Sequence, residues 1–194
     1  MAVNQNDIYV GMPEQSTTGA IHMGATTLTA PTSAISELPS GYDASGYVNE
    51  DGLELTTDLS TTKIKDWSGS VVRELLDEFS GEITWNEMEF SETSLKHAFG
   101  ESNVTVTPAT ATTHKQIKTA IKGEMPPQKS WVFDMKDGDK RMRIYVPNGQ
   151  VKSSGTYSFK SNEVVVIPIT LATYPDASGN SIYIFTDDGK VASA

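Results

Sequence analysis

The chain has 194 residues, long enough to bury a real core, and it carries 25 acidic against 15 basic side chains for a net charge of -10. Such a balance disfavours tight binding of nucleic acid, because phosphate neutralisation needs clustered Lys and Arg. Cysteine is absent, which excludes a disulfide framework, thiolate metal ligation and a cysteine nucleophile.

The start, Met1-Ala2-Val3-Asn4-Gln5-Asn6-Asp7, has neither the basic end nor the apolar centre of a signal peptide. No apolar run approaches the ~20 residues of a membrane helix, so a soluble protein made in a cytoplasm is expected. Ile8-Tyr9-Val10 reads as a short strand. The stretch 11–47 that follows is rich in Thr, Ser, Gly, Ala and Pro, and it reads as an extended assembly arm or loop attached to a single domain over 1–194. Asp51-Gly52 supplies a tight turn, after which Leu53-Glu54-Leu55-Thr56 is extended.

Residues 70–79 are ambiguous. Val72, Leu75, Leu76 and Phe79 fall at helical spacing with Gly81 placed to end a helix, yet Ile83 and Trp85 alternate with polar neighbours directly afterwards. The strand is the preferred reading. Residues 91–99 make the best helix: Ser91 caps it, Gly100 suits a left-handed exit, and Leu95, Ala98 and Phe99 form the apolar face.

Asp137-Gly138 reads as a two-residue hairpin turn, setting Lys136 against Asp139, Asp134 against Arg141, Phe133 against Met142 and Trp131 against Ile144. Met135 opposite Lys140 fits poorly. Val165, Ile167, Ile169 and Leu171 give an inward face, while Pro168 requires a sheet edge or a bulge. A last strand covers Ile182-Tyr183-Ile184-Phe185. The fold class expected from this pattern is mainly β with one short helix.

Reactive constellations do not emerge. His22, His97 and His114 have no second ligand at metal spacing, and His97 reads as a surface residue beside the helix cap. Asp134, Asp137 and Asp139 miss the spacing of a calcium loop, and Asp187-Asp188-Gly189 reads as a turn. Trp67, Trp85 and Trp131 read as core and not as a sugar platform. No phosphate loop, dinucleotide fingerprint or nucleophile elbow occurs. The expectation is a non-enzyme without catalytic, cofactor or metal residues.

Taken in order, Gly19-Ala20-Ile21, Leu38-Pro39, Gly46-Tyr47-Val48-Asn49-Glu50-Asp51-Gly52, Asp66-Trp67-Ser68-Gly69 with Val72-Arg73, residues 92–100, Arg143-Ile144-Tyr145-Val146-Pro147 and Pro175-Asp176-Ala177-Ser178-Gly179 resemble the major tail proteins, or tail tube proteins, of long-tailed siphophages. The resemblance spans nearly the whole chain through the order of its turn and strand signals. It departs at Ser68, where the family has Gly directly after the Trp. It implies a β-sandwich or barrel-like subunit with a flanking helix, and it makes residues 71–78 a strand. Further implications are hexameric rings stacked into a hollow tube and residence in the virion tail after synthesis in the host cytoplasm. Expected partners are other copies of the chain, a tape-measure protein, a tail-tip initiator and a tail terminator, with double-stranded DNA passing through unbound. Two other readings have the same strand pattern: the tube of a related bacterial injection apparatus, and a β-sandwich decoration or adhesin module.

Overall fold

A computed structural model describes residues 8–14, 19–152 and 155–191. Ten strands run in chain order: β1 Ile21–Gly24, β2 Asp43–Ala44, β3 Val48–Lys65, β4 Val71–Glu87, β5 Val104–Thr107, β6 Gln116–Thr119, β7 Lys129–Asp137, β8 Lys140–Lys152, β9 Ile167–Tyr174 and β10 Tyr183–Asp187. One helix, α1 Glu92–Phe99, and a 3-10 turn at Glu101–Asn103 separate β4 from β5. The main sheet has the order β2-β1-β7-β8-β9-β4-β3, with β10 beside β8, and β5 pairs with β6 in a sheet of its own. Every pairing is antiparallel. The fold is mainly β, as the alternation of the C-terminal third predicts.

Period-2 burial explains the core. Ile83, Trp85, Ile167, Ile169 and Leu171 point to one side of β4 and β9, where they meet Trp131, Phe133, Ile144 and Val146 of β7 and β8. Trp85 sits edge-on to Trp131 at 5.5 Å and to Phe133 at 5.4 Å between ring centroids. Gly149 is required here, since a Cβ would stand 2.7 Å from the Trp131 ring. Helix α1 closes this layer with Leu95, Ala98 and Phe99. Its start is fixed as the sequence indicates, by Ser91 accepting the Ser94 amide at 3.1 Å, and its end by Gly100 at φ 83°.

Pro168 is tolerated because, among the described residues, β8 pairs with β9 only from Thr170 onward and Pro168 is paired with β4 alone. Residues 71–78 are strand, resolving the ambiguity against the helix. Val165 precedes β9 and Ile182 precedes β10, so each strand is shorter at its start than expected.

Several expectations are corrected. Ile8-Tyr9-Val10 is not a strand; the segment instead makes one antiparallel bridge further on, Pro13 to Met135. Asp51-Gly52 is not a chain reversal but part of a bulge in β3, where the register jumps between Val48↔Glu87 and Leu53↔Trp85 and Gly52 has φ 70°. The stretch 11–47 is not one continuous arm. Ile21–Gly24 pairs with β7, and Ile21, Met23 and Ala34 are buried, so a deletion across 16–36 would remove a core strand.

The β7–β8 hairpin turns at Gly138-Asp139, because Asp137 faces Lys140, Lys136 faces Arg141, Met135 faces Met142, Asp134 faces Arg143 and Phe133 faces Ile144. Relative to the sequence reading each partner moves by two residues, which keeps every side chain on its expected face and matches Met135 with Met142. Only Gly138 has positive φ, 63°, the arrangement of a turn with glycine at its first central position. A Cβ there meets nothing within 4 Å, so Gly138→Val should cost backbone strain alone. Loss of about 1–3 kcal/mol in urea unfolding is expected, and an unchanged midpoint would contradict the turn.

Candidate assembly surface

The titratable residues singled out in the sequence are dispersed into structural roles. His114 lies on an exposed loop. Asp137 accepts the Val10 amide at 3.2 Å, and Asp187 and Asp188 accept the amides of Gly189 and Lys190 in a turn. Among the described residues no group of three or more His, Asp or Glu side chains could hold a metal ion. Trp85 and Trp131 are core as expected, whereas Trp67 is fully exposed. It stands at the tip of the β3–β4 hairpin, where Asp66 accepts the Ser68 hydroxyl at 2.7 Å and the Ser70 amide at 2.8 Å. Those bonds, the Ser68 hydroxyl first, hold the Asp66 carboxyl below its ordinary range.

His97 is also corrected, from surface to fully enclosed. Its Nδ1 lies 3.5 Å from Glu87 Oε1, itself buried and accepting Trp85 Nε1 at 3.2 Å, and its ring meets Trp131 edge-on at 5.2 Å. The buried face of α1 is wider than Leu95, Ala98 and Phe99 because Ser94 and His97 are covered too. A pair this deep in the core offers no route for a substrate.

A second polar group anchors the loop between β1 and β2. Arg143 grips Asp134 with Nε at 2.5 Å and Nη2 at 3.0 Å, and its Nη1 donates to the carbonyls of Ser33 at 3.1 Å and Ser36 at 2.7 Å. His22 Nε2 stands 3.7 Å from the same carboxylate. Burial pushes the His22 imidazole below its ordinary 6.5; Asp134 opposes the shift, and Arg143 and His97 reinforce it. The unfolded chain therefore takes up the proton more readily than the folded one, and stability is lost as pH falls below about 6.5. In urea titrations between about pH 5 and 8, His22→Gln is expected to flatten that part of the profile. An unchanged slope would show that His22 is not its source.

The feature that dominates the molecular surface is the outer part of β3 and β4. β9 flanks β4 only from Gly81 to Glu87, so residues 57–80 continue as a two-stranded ribbon with no third strand. β3 has 18 residues and is about 60 Å long, and its outer half leaves the core altogether. Its two faces differ. The face continuous with Leu55 and Ile83 carries Leu59 opposite Phe79, then Leu76 and Val71, all exposed. On the other face Glu54, Asp58, Glu78 and Glu82 alternate with Thr56, Ser60, Ser80 and Thr84, which continues the polar side of the sheet. The ribbon is braced by Thr61 to Glu74 at 2.7 Å and Thr62 to Asp77 at 2.6 Å. A lone two-stranded hairpin is marginal in water, and one displaying Leu59 and Leu76 at 63 % exposure is more costly still. This ribbon is built to be covered.

The family model for phage tail tube protein matches residues 1–194. The chain belongs to the phage tail tube proteins. It is accordingly a structural protein of phage tails, and its mainly β fold with one short helix is consistent with a tube-type subunit. No curated protein matches the sequence. Among solved structures it is similar to the cryo-EM structure of the anti-feeding prophage cap (AFP tube terminating cap), at 17% identity and a TM-score of 0.47 over 96% of this chain and 100% of that one. Among the described residues no helix is long and apolar enough to cross a membrane.

Proposed function

We propose that this tail tube protein closes into hexameric rings that stack into a hollow tube, and that the tube conducts double-stranded DNA during genome ejection from a siphophage virion. The ribbon of residues 57–80 carries the proposal: half of β3 and β4 is folded as sheet, displays Leu59, Leu76 and Phe79, and among the described residues has nothing of its own subunit to cover it. Subunit contacts that bury those side chains and pair the open edges of β3 and β10 supply what the free chain lacks. Tape-measure, initiator and terminator proteins would set the length and ends of such a tube. Residues 25–42, the loop part of the expected arm, would meet a neighbour while Arg143 holds them to their own subunit through the carbonyls of Ser33 and Ser36. Light scattering with negative-stain imaging at rising protein concentration is the test. Rings or tubes are expected; compact monomers at every salt and concentration would overturn the reading.

The polar face of β3, β4 and β9 suits a channel wall for a polyanion. Glu54, Asp58, Glu78 and Glu82 outnumber Arg73 and Lys152, the latter paired with Glu82, so phosphates would find few cations to displace their counterions. Tubes sedimented with duplex DNA are expected to leave it in the supernatant at physiological salt, and Glu54→Lys with Asp58→Lys should make them retain it. Tight, salt-sensitive retention by the unmodified tube would overturn the conduit role.

A further inference from the structure

We propose that the ribbon of one copy docks in the groove between residues 10–13 and the start of β3 on the next copy, so that subunits join tip to base along β3. The proposal rests on the tail tube reading, which supplies the second copy, and adds the receiving surface and the residues that choose it.

The groove is an open volume of about 420 Å3 whose walls include Val10, Met12, Val48, Leu53, Phe133 and Met135. One wall is the N-terminal segment, which its own subunit holds firmly: Glu14 N donates to Asp134 O at 2.9 Å, Lys136 N to Met12 O at 2.8 Å and Lys140 Nζ to Ile8 O at 2.7 Å. Arg141 adds an ion pair to Glu14 at 3.3 Å. Backbone bonds therefore fix the segment while Ile8, Val10 and Met12 stay exposed, an apolar wall without a covering layer among the described residues. The ribbon has the matching surface in Leu59, Phe79, Leu76 and Val71.

Charge selects this pairing. At the ribbon tip Lys65 and Arg73 have no carboxylate partner among the described residues, while Lys63 shares Glu74 at 3.9 Å. The β3 bulge presents Glu50 in the groove and Asp51 beside it on the other side of the strand, both exposed, and among the described residues Asp51 accepts only the Asn49 side-chain amide. Two other grooves are of similar size: the one lined by Asp51, Glu54, Thr84, Asn86 and Thr170 is acidic but has no exposed apolar wall to receive the ribbon, and the one lined by Tyr145, Tyr183 and Phe185 lacks such an acid. Its Asp176 is already satisfied by the Tyr183 hydroxyl at 2.6 Å and by the amides of Ser178 and Asn180. Tip and groove lie at opposite ends of β3, roughly 50 Å apart, so they cannot meet within one copy. A contact between different patches on identical subunits propagates from copy to copy, as a tube requires.

Charge reversal and rescue test the docking. K65E with R73E should abolish pelletable tubes, and adding E50K with D51K to that chain should restore them; all four positions are exposed, and thermal melts of the purified variants check that they fold. Because the chain has no cysteine, a short bis-maleimide applied to assembled K65C/E50C should also give a ladder of covalent oligomers, whereas K65C/S178C should not. Undiminished tubes after K65E/R73E, failed rescue by folded protein, or tubes without the K65C/E50C ladder would each overturn the docking and leave the tail tube reading standing. Absence of tubes from the unmodified protein would overturn both.

Discussion

Trp131→Ala is expected to destabilise the subunit by about 3–5 kcal/mol, a large share of the ~5–15 kcal/mol typical of a domain. Trp131 is among the largest fully buried side chains and packs against three elements at once: Trp85 from β4, His97 from α1 and Gly149 in β8. The surrounding sheet is too constrained to collapse into the space vacated, since β7 is pinned by β1 on one side and β8 on the other. Its Nε1 has no hydrogen-bond partner, so the loss is one of packing, and no stranded polar group adds to it. Trp67→Ala is the internal control: the exposed tip residue should leave the unfolding midpoint within about 0.5 kcal/mol of the parent. Equal losses from the two variants in urea unfolding would contradict this account of the core.

The contrast between those two tryptophans shows what the sequence made legible. Ile83, Trp85, Ile167, Ile169 and Leu171 declare their face through strict alternation, because a half-buried strand has period 2 and nothing else competes with it. Trp67 was misread from residue type, although Asp66-Trp67-Ser68-Gly69 is a turn by composition and a turn tip is exposed. The hairpin at Gly138 had the right faces in the wrong register, since Asp134 can meet either Arg141 or Arg143 on the same face. Charge patterning cannot separate registers two residues apart; which central turn position takes the positive φ decides between them.

His97 was hidden for a different reason. A helix against one sheet buries one stripe, but α1 is packed by β5 and β6 as well as by the main sheet, so its covered arc is wide, and His97 lies on the part that faces Glu87 and Trp131. That second layer joins residues far apart in the chain, which no local period records. The same limit applies to the assembly surface. Residues 70–79 looked like either helix or strand because Leu75, Leu76 and Phe79 mix two periods, and the β-bulges near Ser60 and Ile64 account for the mixture by resetting which side chains face which way.

Replacing residues 58–80 by a two-residue Asn-Gly turn, which closes on the pair Thr57↔Gly81, is expected to abolish tube formation while leaving a folded, soluble monomer. The core predicts the second half of this outcome: the strand pairs from Leu53↔Trp85 to Thr56↔Glu82 remain, β9 still covers β4, and no buried apolar side chain of the core cluster lies between 57 and 80. Stability should therefore fall little, or rise, since the exposed Leu59, Leu76 and Phe79 no longer carry a hydration cost in the free subunit. The first half follows from what the ribbon contributes: it is a long open edge, carries the exposed Leu59, Leu76 and Phe79, and holds Lys65 and Arg73, which have no carboxylate partner among the described residues. Sedimentation should leave the shortened chain in the supernatant at concentrations where the parent pellets, and circular dichroism should retain the β spectrum with a cooperative melt. Pelleting tubes of the shortened chain would show that the ribbon is dispensable for assembly, and a non-cooperative melt would show that it belongs to the fold.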